Sequence, residues 1–232
     1  MRKMFMALGA AAILATLGGT AAQASTHATR PDATPACGAN CFDLSSLVLG
    51  HHLIQNAYIR GDNGVGGRVG QFINLKTATN TSPNEDFSGA AVGDLGDYCG
   101  SLIPGTSYVC ENYPAGYPVF ESNWAPYGNA SGLCAGVATA NVNHEPVTLQ
   151  ECGVTARTLW VGDLENETVV FGSLYTPWVN ASDPNFSHPL ALTVGGSKGR
   201  PAFRLSVSRL NTLTGNVVPD TQEFTLQAGP AA

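Results

Sequence analysis

The sequence predicts an all-β fold made of three similar sets of four strands, and three observations lead to it. The chain of 232 residues carries 27 Gly and 14 Pro, residues that weaken helix and strand interiors, so it must turn often. Apolar runs recur about every ten to fifteen residues between Gly, Asn, Pro and Asp, the spacing of short strands, and no helical period persists over three turns. These runs also align with one another in three successive groups, and a fixed internal repeat redirects the reading of a whole fold.

At the start of the chain, Arg2 and Lys3 precede an apolar run from Met4 to Leu17, and Ala22-Gln23-Ala24 supplies the small-x-small site of a signal peptidase. Residues 1–24 are therefore expected to be a secretory leader cleaved near Ala24, the run being short of the roughly 20 apolar residues that span a bilayer. Residues 25–36, which mix Ser, Thr, Ala and Pro without periodicity, are expected to be a disordered lead-in. The folded domain is expected over 37–232. Its first strand set is Phe42 to Leu49, Leu53 to Ala57, Phe72 to Leu75 and Glu85 to Phe87. The second is Val119 to Trp124, Leu133 to Val137, Val147 to Cys152 and Arg157 to Trp160. The third is Trp178 to Asn180, Leu190 to Val194, Phe203 to Val207 and Gln222 to Phe224. An insertion is expected at about 89–117, and its Tyr98, Tyr108, Tyr113 and Tyr117 among Gly make it the expected place of functional divergence, the alternative being a connector whose tyrosines cover one end of the barrel.

Charge and cysteine content narrow the function classes. The formal net charge is −6, and only 12% of residues are charged. No basic surface is available to release counterions from phosphates, which argues against a nucleic-acid partner. An exported chain meets an oxidising compartment, where six cysteines read as disulfides. Six allow fifteen pairings, of which the simplest joins sequence neighbours: Cys37 with Cys41, Cys99 with Cys110, and Cys134 with Cys152. The chain has no C-x-x-C and no H-E-x-x-H, so neither a metal nor a cofactor is expected. Eight Arg against three Lys point to a bacterial source.

The stretch Asn129-Ala130-Ser131-Gly132-Leu133-Cys134, followed by Val147-Thr148-Leu149-Gln150-Glu151-Cys152 and Thr158-Leu159-Trp160, resembles the ricin-type β-trefoil repeat. That repeat has a Cys before one strand, a V-x-L-x-x-C strand and a Q-x-W closing motif. Gln222-Glu223-Phe224 resembles the closing motif with Phe in place of Trp. The resemblance implies a single β-trefoil in which Phe87, Trp160 and Phe224 fill the shared core, with Gln222 beside them. It also implies carbohydrate binding through an Asp just after the Cys of each repeat. That position is Gly136 in the second set, about Thr193 in the third, and Gln55 or Asn56 in the first, so the family's usual sugar site departs in each.

Aromatic residues among Pro, Gly and Asn offer another platform for a sugar face. Trp124, Tyr127, Tyr113, Tyr117 and Trp178 are the candidates, with Asn129 to hold hydroxyls. The expected function is a secreted, non-catalytic module that binds a glycan or cell-surface polysaccharide. The alternative is a protein-interaction or scaffold subunit bound to a secreted protein, its sugar sites degenerate. Gly195-Gly196-Ser197-Lys198-Gly199 spells G-x-S-x-G but lies in the turn between two expected strands, not at a strand-to-helix elbow, and no nucleotide loop is present. An extracellular hydrolase stands third, through paired carboxylates drawn from Asp62, Asp86, Asp94, Glu121 and Asp163.

Overall fold

The computed structural model describes residues 42–49, 52–56, 67–77, 87–126, 130–170, 172–183, 188–195, 203–210 and 218–228. The expected leader and lead-in, the Cys37 with Cys41 pairing, Tyr127 and Asn129 lie outside the described residues. In chain order the strands are β1 (Phe42–Ser46), β2 (His52–Asn56), β3 (Ile73–Thr77), β4 (Phe87–Asp94), β5 (Pro118–Trp124), β6 (Leu133–Val137) and β7 (Val147–Glu151). They continue as β8 (Leu159–Gly162), β9 (Thr168–Val170), β10 (Ser173–Tyr175), β11 (Trp178–Asn180), β12 (Leu190–Gly195), β13 (Phe203–Arg209) and β14 (Phe224–Ala228). Two short helices, α1 (Leu95–Tyr98) and α2 (Tyr108–Asn112), lie between β4 and β5.

Six strands follow one another around a barrel. β4 pairs β5, β5 pairs β8, β8 pairs β11, and β14 pairs β1, all antiparallel. A bridge between Thr176 and Phe224 joins the approach to β11 onto β14. The hairpins β2–β3, β6–β7 and β12–β13 cap one end. These three hairpins meet in a cyclic pattern. Phe72 bridges Thr148, Pro146 bridges Ser206, and Arg204 pairs Asn74, so each receiving residue lies two positions beyond the donor residue of its own hairpin. The backbone bonds repeat this order: Leu149 N–H donates to Gln71 O at 2.8 Å, and Val207 N–H donates to Glu145 O at 2.9 Å. A hairpin alone leaves an apolar face uncovered, and here the two others cover it. This is a β-trefoil.

Alternation along the barrel strands sends side chains to opposite faces. Phe120, Trp160 and Trp178 point into the main core, while their neighbours Val119, Val161 and Val179 belong to a second cluster on the barrel's outer wall. Phe87, Trp160 and Phe224 are 2%, 5% and 0% exposed, as the threefold reading requires. The Trp160 indole N–H donates to Ala135 O at 2.9 Å, which satisfies the one polar atom of a buried ring. Gln222 is also buried, and its amide donates to Thr193 Oγ1 and to the carbonyls of Ser208 and Arg209, tying the turn before β14 onto the third hairpin. The disulfides Cys99 with Cys110 and Cys134 with Cys152 are formed.

Three expectations change. Trp124 is 2% exposed and Trp178 is 7% exposed, so neither ring stands on an open loop. Both sit at strand ends whose inward side faces the core, and the Trp124 ring lies so close to Gly67 that a Cβ there would come within 2.1 Å of it. Residues 89–94, expected in the insertion, belong to β4, where small residues and a bulge between Ala91 and Gly93 keep the pairing with β5. The insertion proper runs from 95 to 117. The sequence also hides the hairpin β9–β10, a small addition between β8 and β11.

Removing the Phe224 ring by Phe224→Ala is expected to cost about 3–5 kcal/mol in urea unfolding, since the ring is wholly enclosed. Gly136→Ala is expected to lose about 1–3 kcal/mol, because its Cβ would meet the Arg157 carbonyl at 2.7 Å. Wild-type stability in either variant would contradict the packing described.

Candidate functional site at the open end of the barrel

The connections β4 to β5 and β8 to β11 both leave the barrel at the end opposite the hairpin cap, and β5 pairs β8, so the two long connections are neighbours. The first, residues 95–117, is held on the outer wall by Leu95, Ile103 and Val109, which are at most 1% exposed and pack with Val119, Val161 and Val179. The Cys99 with Cys110 disulfide ties α1 to α2. Ser107 starts α2 by accepting the Cys110 N–H on its side-chain oxygen, and the Tyr98 hydroxyl donates to Val92 O at 2.8 Å.

This ordered connection presents tyrosines. Tyr113 stacks on Tyr117 with ring centroids 5.4 Å apart and an interplanar angle of 25°, while Tyr108 meets Tyr113 edge-on at 5.8 Å. All three are half-buried. The second connection supplies acidic neighbours, Asp163 beside Tyr113 and Glu165 beside Tyr117. Burial and the nearby Asp163 carboxylate push the Tyr113 phenol well above its ordinary range, so it stays a donor. Asp163 is 1% exposed, and burial raises its pKa against the bonds it accepts from Asn166 and the Glu165 backbone. Asn166 Nδ2 donates to Asp163 Oδ2 at 2.8 Å.

Beside the tyrosines opens a groove of about 460 Å³. Phe120, Leu164, Leu174, Trp178 and Leu226 form its apolar walls, and Glu167 and Thr176 are among its polar groups. Thr176 donates to Glu167 Oε1 at 3.0 Å. Phe120 and Trp178 meet edge to face at 4.7 Å between centroids and also line a small apolar cavity in the barrel interior. The Trp178 indole nitrogen is buried without a hydrogen-bond partner. Trp178 is thus a wall residue of the groove, although it is not a loop aromatic. Glu223, at the start of β14, is 1% exposed, and neither carboxylate oxygen has a hydrogen-bond partner. Burial pushes its pKa up to about 7, and the Asp220, Asp163 and Glu167 charges add to the rise.

Tyr108, Tyr113 and Tyr117, all named from the sequence within the insertion, come together here, whereas Tyr98 instead bonds Val92 O; Glu165, Glu167 and Glu223 were missed. Glu165 and Glu167 follow only from pairing β5 with β8. Among the described residues, the carboxylates proposed for hydrolysis do not gather. Asp94 begins α1, Glu121 Oε1 accepts from Gly153 N–H and Thr158 Oγ1 at 2.7 Å each, and Asp163 serves Asn166 and Tyr113; Asp62 and Asp86 lie outside the described residues. Glu121 also lies within 4.8 Å of the Cys134 and Cys152 sulfurs. Their disulfide leaves no thiolate there to hold a metal. At the family's sugar positions, Gly136 is packed under the Arg157 carbonyl and Thr193 is engaged by Gln222.

A carboxyl whose pKa is raised on folding holds its proton more tightly in the native state than in the unfolded chain. Its favourable contribution is therefore complete below the unfolded value of 4.5 and is lost as pH rises through about 7. Thermal unfolding midpoints are expected to fall between pH 4.5 and pH 7 in the wild type. In Glu223→Gln that decline should be flatter, and an unchanged slope would remove Glu223 as its source.

No protein-family model matches the chain, and comparison with curated proteins finds no match. Among solved structures, the designed threefold-symmetric protein ThreeFoil is 12% identical, with 81% of this chain and 97% of that one covered at a TM-score of 0.47. A mosquitocidal holotoxin is 11% identical at a TM-score of 0.49; 82% of this chain is covered but only 17% of the toxin, so the chain spans a small part of its length. The C-terminal domain of an earthworm lectin, a mutant in complex with 6'-sialyllactose, is 12% identical, with 82% and 99% covered at a TM-score of 0.40. The β-trefoil assignment rests on the strand pairing and the cyclic hairpin cap of this chain itself.

Proposed function

We propose that the protein is a secreted, non-catalytic binding module that recognises carbohydrate at the open end of its barrel. One observation carries this reading. Half-buried tyrosine rings next to the carboxylates of Asp163 and Glu165 stand beside a groove walled by Phe120 and Trp178. A sugar has an apolar C–H face that packs on a ring and hydroxyls that both donate and accept. Fixed aromatics with a few convergent polar groups suit such a ligand. The leader-like residues 1–24 and the two disulfides support export. A β-barrel offering rigid strands with long connections at one end is a common support for binding surfaces.

The second reading, a protein-interaction subunit, draws on Leu164, Val169 and Leu174. They are 41%, 70% and 48% exposed along the connection that carries β9 and β10, and exposed apolar clusters mark protein contacts.

A glycan array with the mature protein separates the two. Binding to at least one glycan is expected, weakened tenfold or more by Tyr117→Ala at an unchanged unfolding midpoint. Silence across the array, with a secreted protein captured through Val169 and Leu174, would replace the carbohydrate reading with the protein-interaction one.

A further inference from the structure

We propose that the ligand is a sugar bearing a single aliphatic chain, and that the chain enters the barrel through its open end. This deepens the carbohydrate reading and rests on it for the sugar head alone.

Two cavities share three residues. The groove of about 460 Å³ lies at the open end, and a smaller cavity of about 40 Å³ lies deeper, among Leu44, Ala135, Val147, Trp160, Leu192 and Leu205. Phe120, Trp178 and Leu226 line both, so these three side chains form the neck between them. Phe120 and Leu226 are only half-buried, as a passage from solvent toward the barrel axis requires.

The inner cavity restricts what can pass the neck. No polar atom reaches its surface. A sugar hydroxyl placed there would give up its water and find no partner in exchange, and water itself is unfavoured in a wholly apolar void. Methylene and methyl groups gain there, since they leave water and meet hydrocarbon on every side. A water-sized group needs on the order of 10–15 Å³, so the cavity holds about two or three carbons at the end of a chain and is too small for a ring. A protein loop suits it less well, because reaching past the neck would carry backbone amides among walls that offer them no partner.

Toward solvent the chemistry changes. Glu167, Ser173, Thr176 and Thr225 add polar groups to the groove, and Pro118, which also lines it, follows directly on Tyr117. Leu164 and Leu174 belong to the same groove and are 41% and 48% exposed. Aromatic rings and polar groups serve the face and hydroxyls of a sugar, whereas leucine walls leading to a dry cavity offer a hydroxyl nothing. One molecule satisfies both halves if its hydroxyl-bearing head rests at Tyr117 and the groove's polar groups while an aliphatic tail passes between Phe120, Trp178 and Leu226.

The test uses the mature protein and two series of probes kept monomeric, the n-alkyl β-D-glucosides from methyl to octyl and the straight-chain 1-alkanols from butanol to octanol, with affinities read by titration calorimetry. In both series affinity is expected to rise about three- to fourfold per added methylene until groove and cavity are filled. Leu174→Asp alters a half-exposed position of the groove and should weaken octyl glucoside about fivefold; unchanged affinity would overturn the inference. Intermolecular NOEs are expected from the terminal methyl of bound octyl glucoside to the methyls of Val147, Leu192 and Leu205. NOEs confined to Leu164 and Leu174 would overturn entry into the barrel, a result that needs no variant to fold. Affinity independent of chain length in both series would overturn the inference and leave carbohydrate recognition standing wherever the array finds a glycan that binds. A rise with length in which octyl glucoside binds no more tightly than octanol, with the array silent, would keep the chain and overturn the sugar head together with the carbohydrate reading. Binding to phosphatidylcholine vesicles that carry a glucosyl diacylglycerol, with none to the monomeric probes, would overturn the inference as well, since recognition of a head at a bilayer needs no chain in the barrel.

Discussion

The mutual covering of three hairpins is the constraint on which the rest of the molecule depends. Each hairpin presents an apolar face and leaves edge groups of its second strand open. The bridges from Phe72 to Thr148, Pro146 to Ser206 and Arg204 to Asn74 close those edges in a ring. Below that ring, Phe87, Trp160 and Phe224 enter the same core from β4, β8 and β14. None of the three sets can bury its own aromatic residue, so the cap and the barrel form together. Packing at the cap leaves little room elsewhere, as the close approach of Gly136 to Arg157 and of Gly67 to Trp124 records.

Because the cap seals one end, the long connections emerge at the other. The 95–117 connection is more than an attached loop. Its Leu95, Ile103 and Val109 cover the outward faces of β5, β8 and β11, which explains why β8 and β11 are buried at each position. Excising it would expose Val119, Val161 and Val179 to water, so point substitutions of its tyrosines are the sound way to separate binding from folding. The connection after β8 then supplies the carboxylates that lie beside those tyrosines. Rigidity at this end comes from the barrel, and chemical character comes from the two connections.

The burial of Trp124 and Trp178 shows where local composition misleads. Both lie among Pro, Gly and Asn, a setting that reads as loop. Strand alternation outweighs that setting, because an inward position on a barrel strand buries a large ring whatever its neighbours are. Trp178 still reaches the groove from within. A side chain can line a site without projecting from a loop, and no pattern of sequence neighbours distinguishes the two cases.

The sequence by itself determined the twelve strands of the repeat, the core roles of Phe87, Trp160, Gln222 and Phe224, and the pairings of Cys99 with Cys110 and Cys134 with Cys152. The strands depend on periodicity and turn residues and the pairings on short chain separations, all of which are local, while the core roles follow from the resemblance of the closing motifs to the ricin-type repeat. Tertiary structure alone decided that β4 runs on to Asp94, that an extra hairpin follows β8, and that Tyr108, Tyr113 and Tyr117 meet Asp163 and Glu165. It also decided that Glu223 would be buried without a hydrogen-bond partner. Residues about fifty positions apart become neighbours only when β5 pairs β8 and the barrel closes, and that register is set by the packing of the whole core.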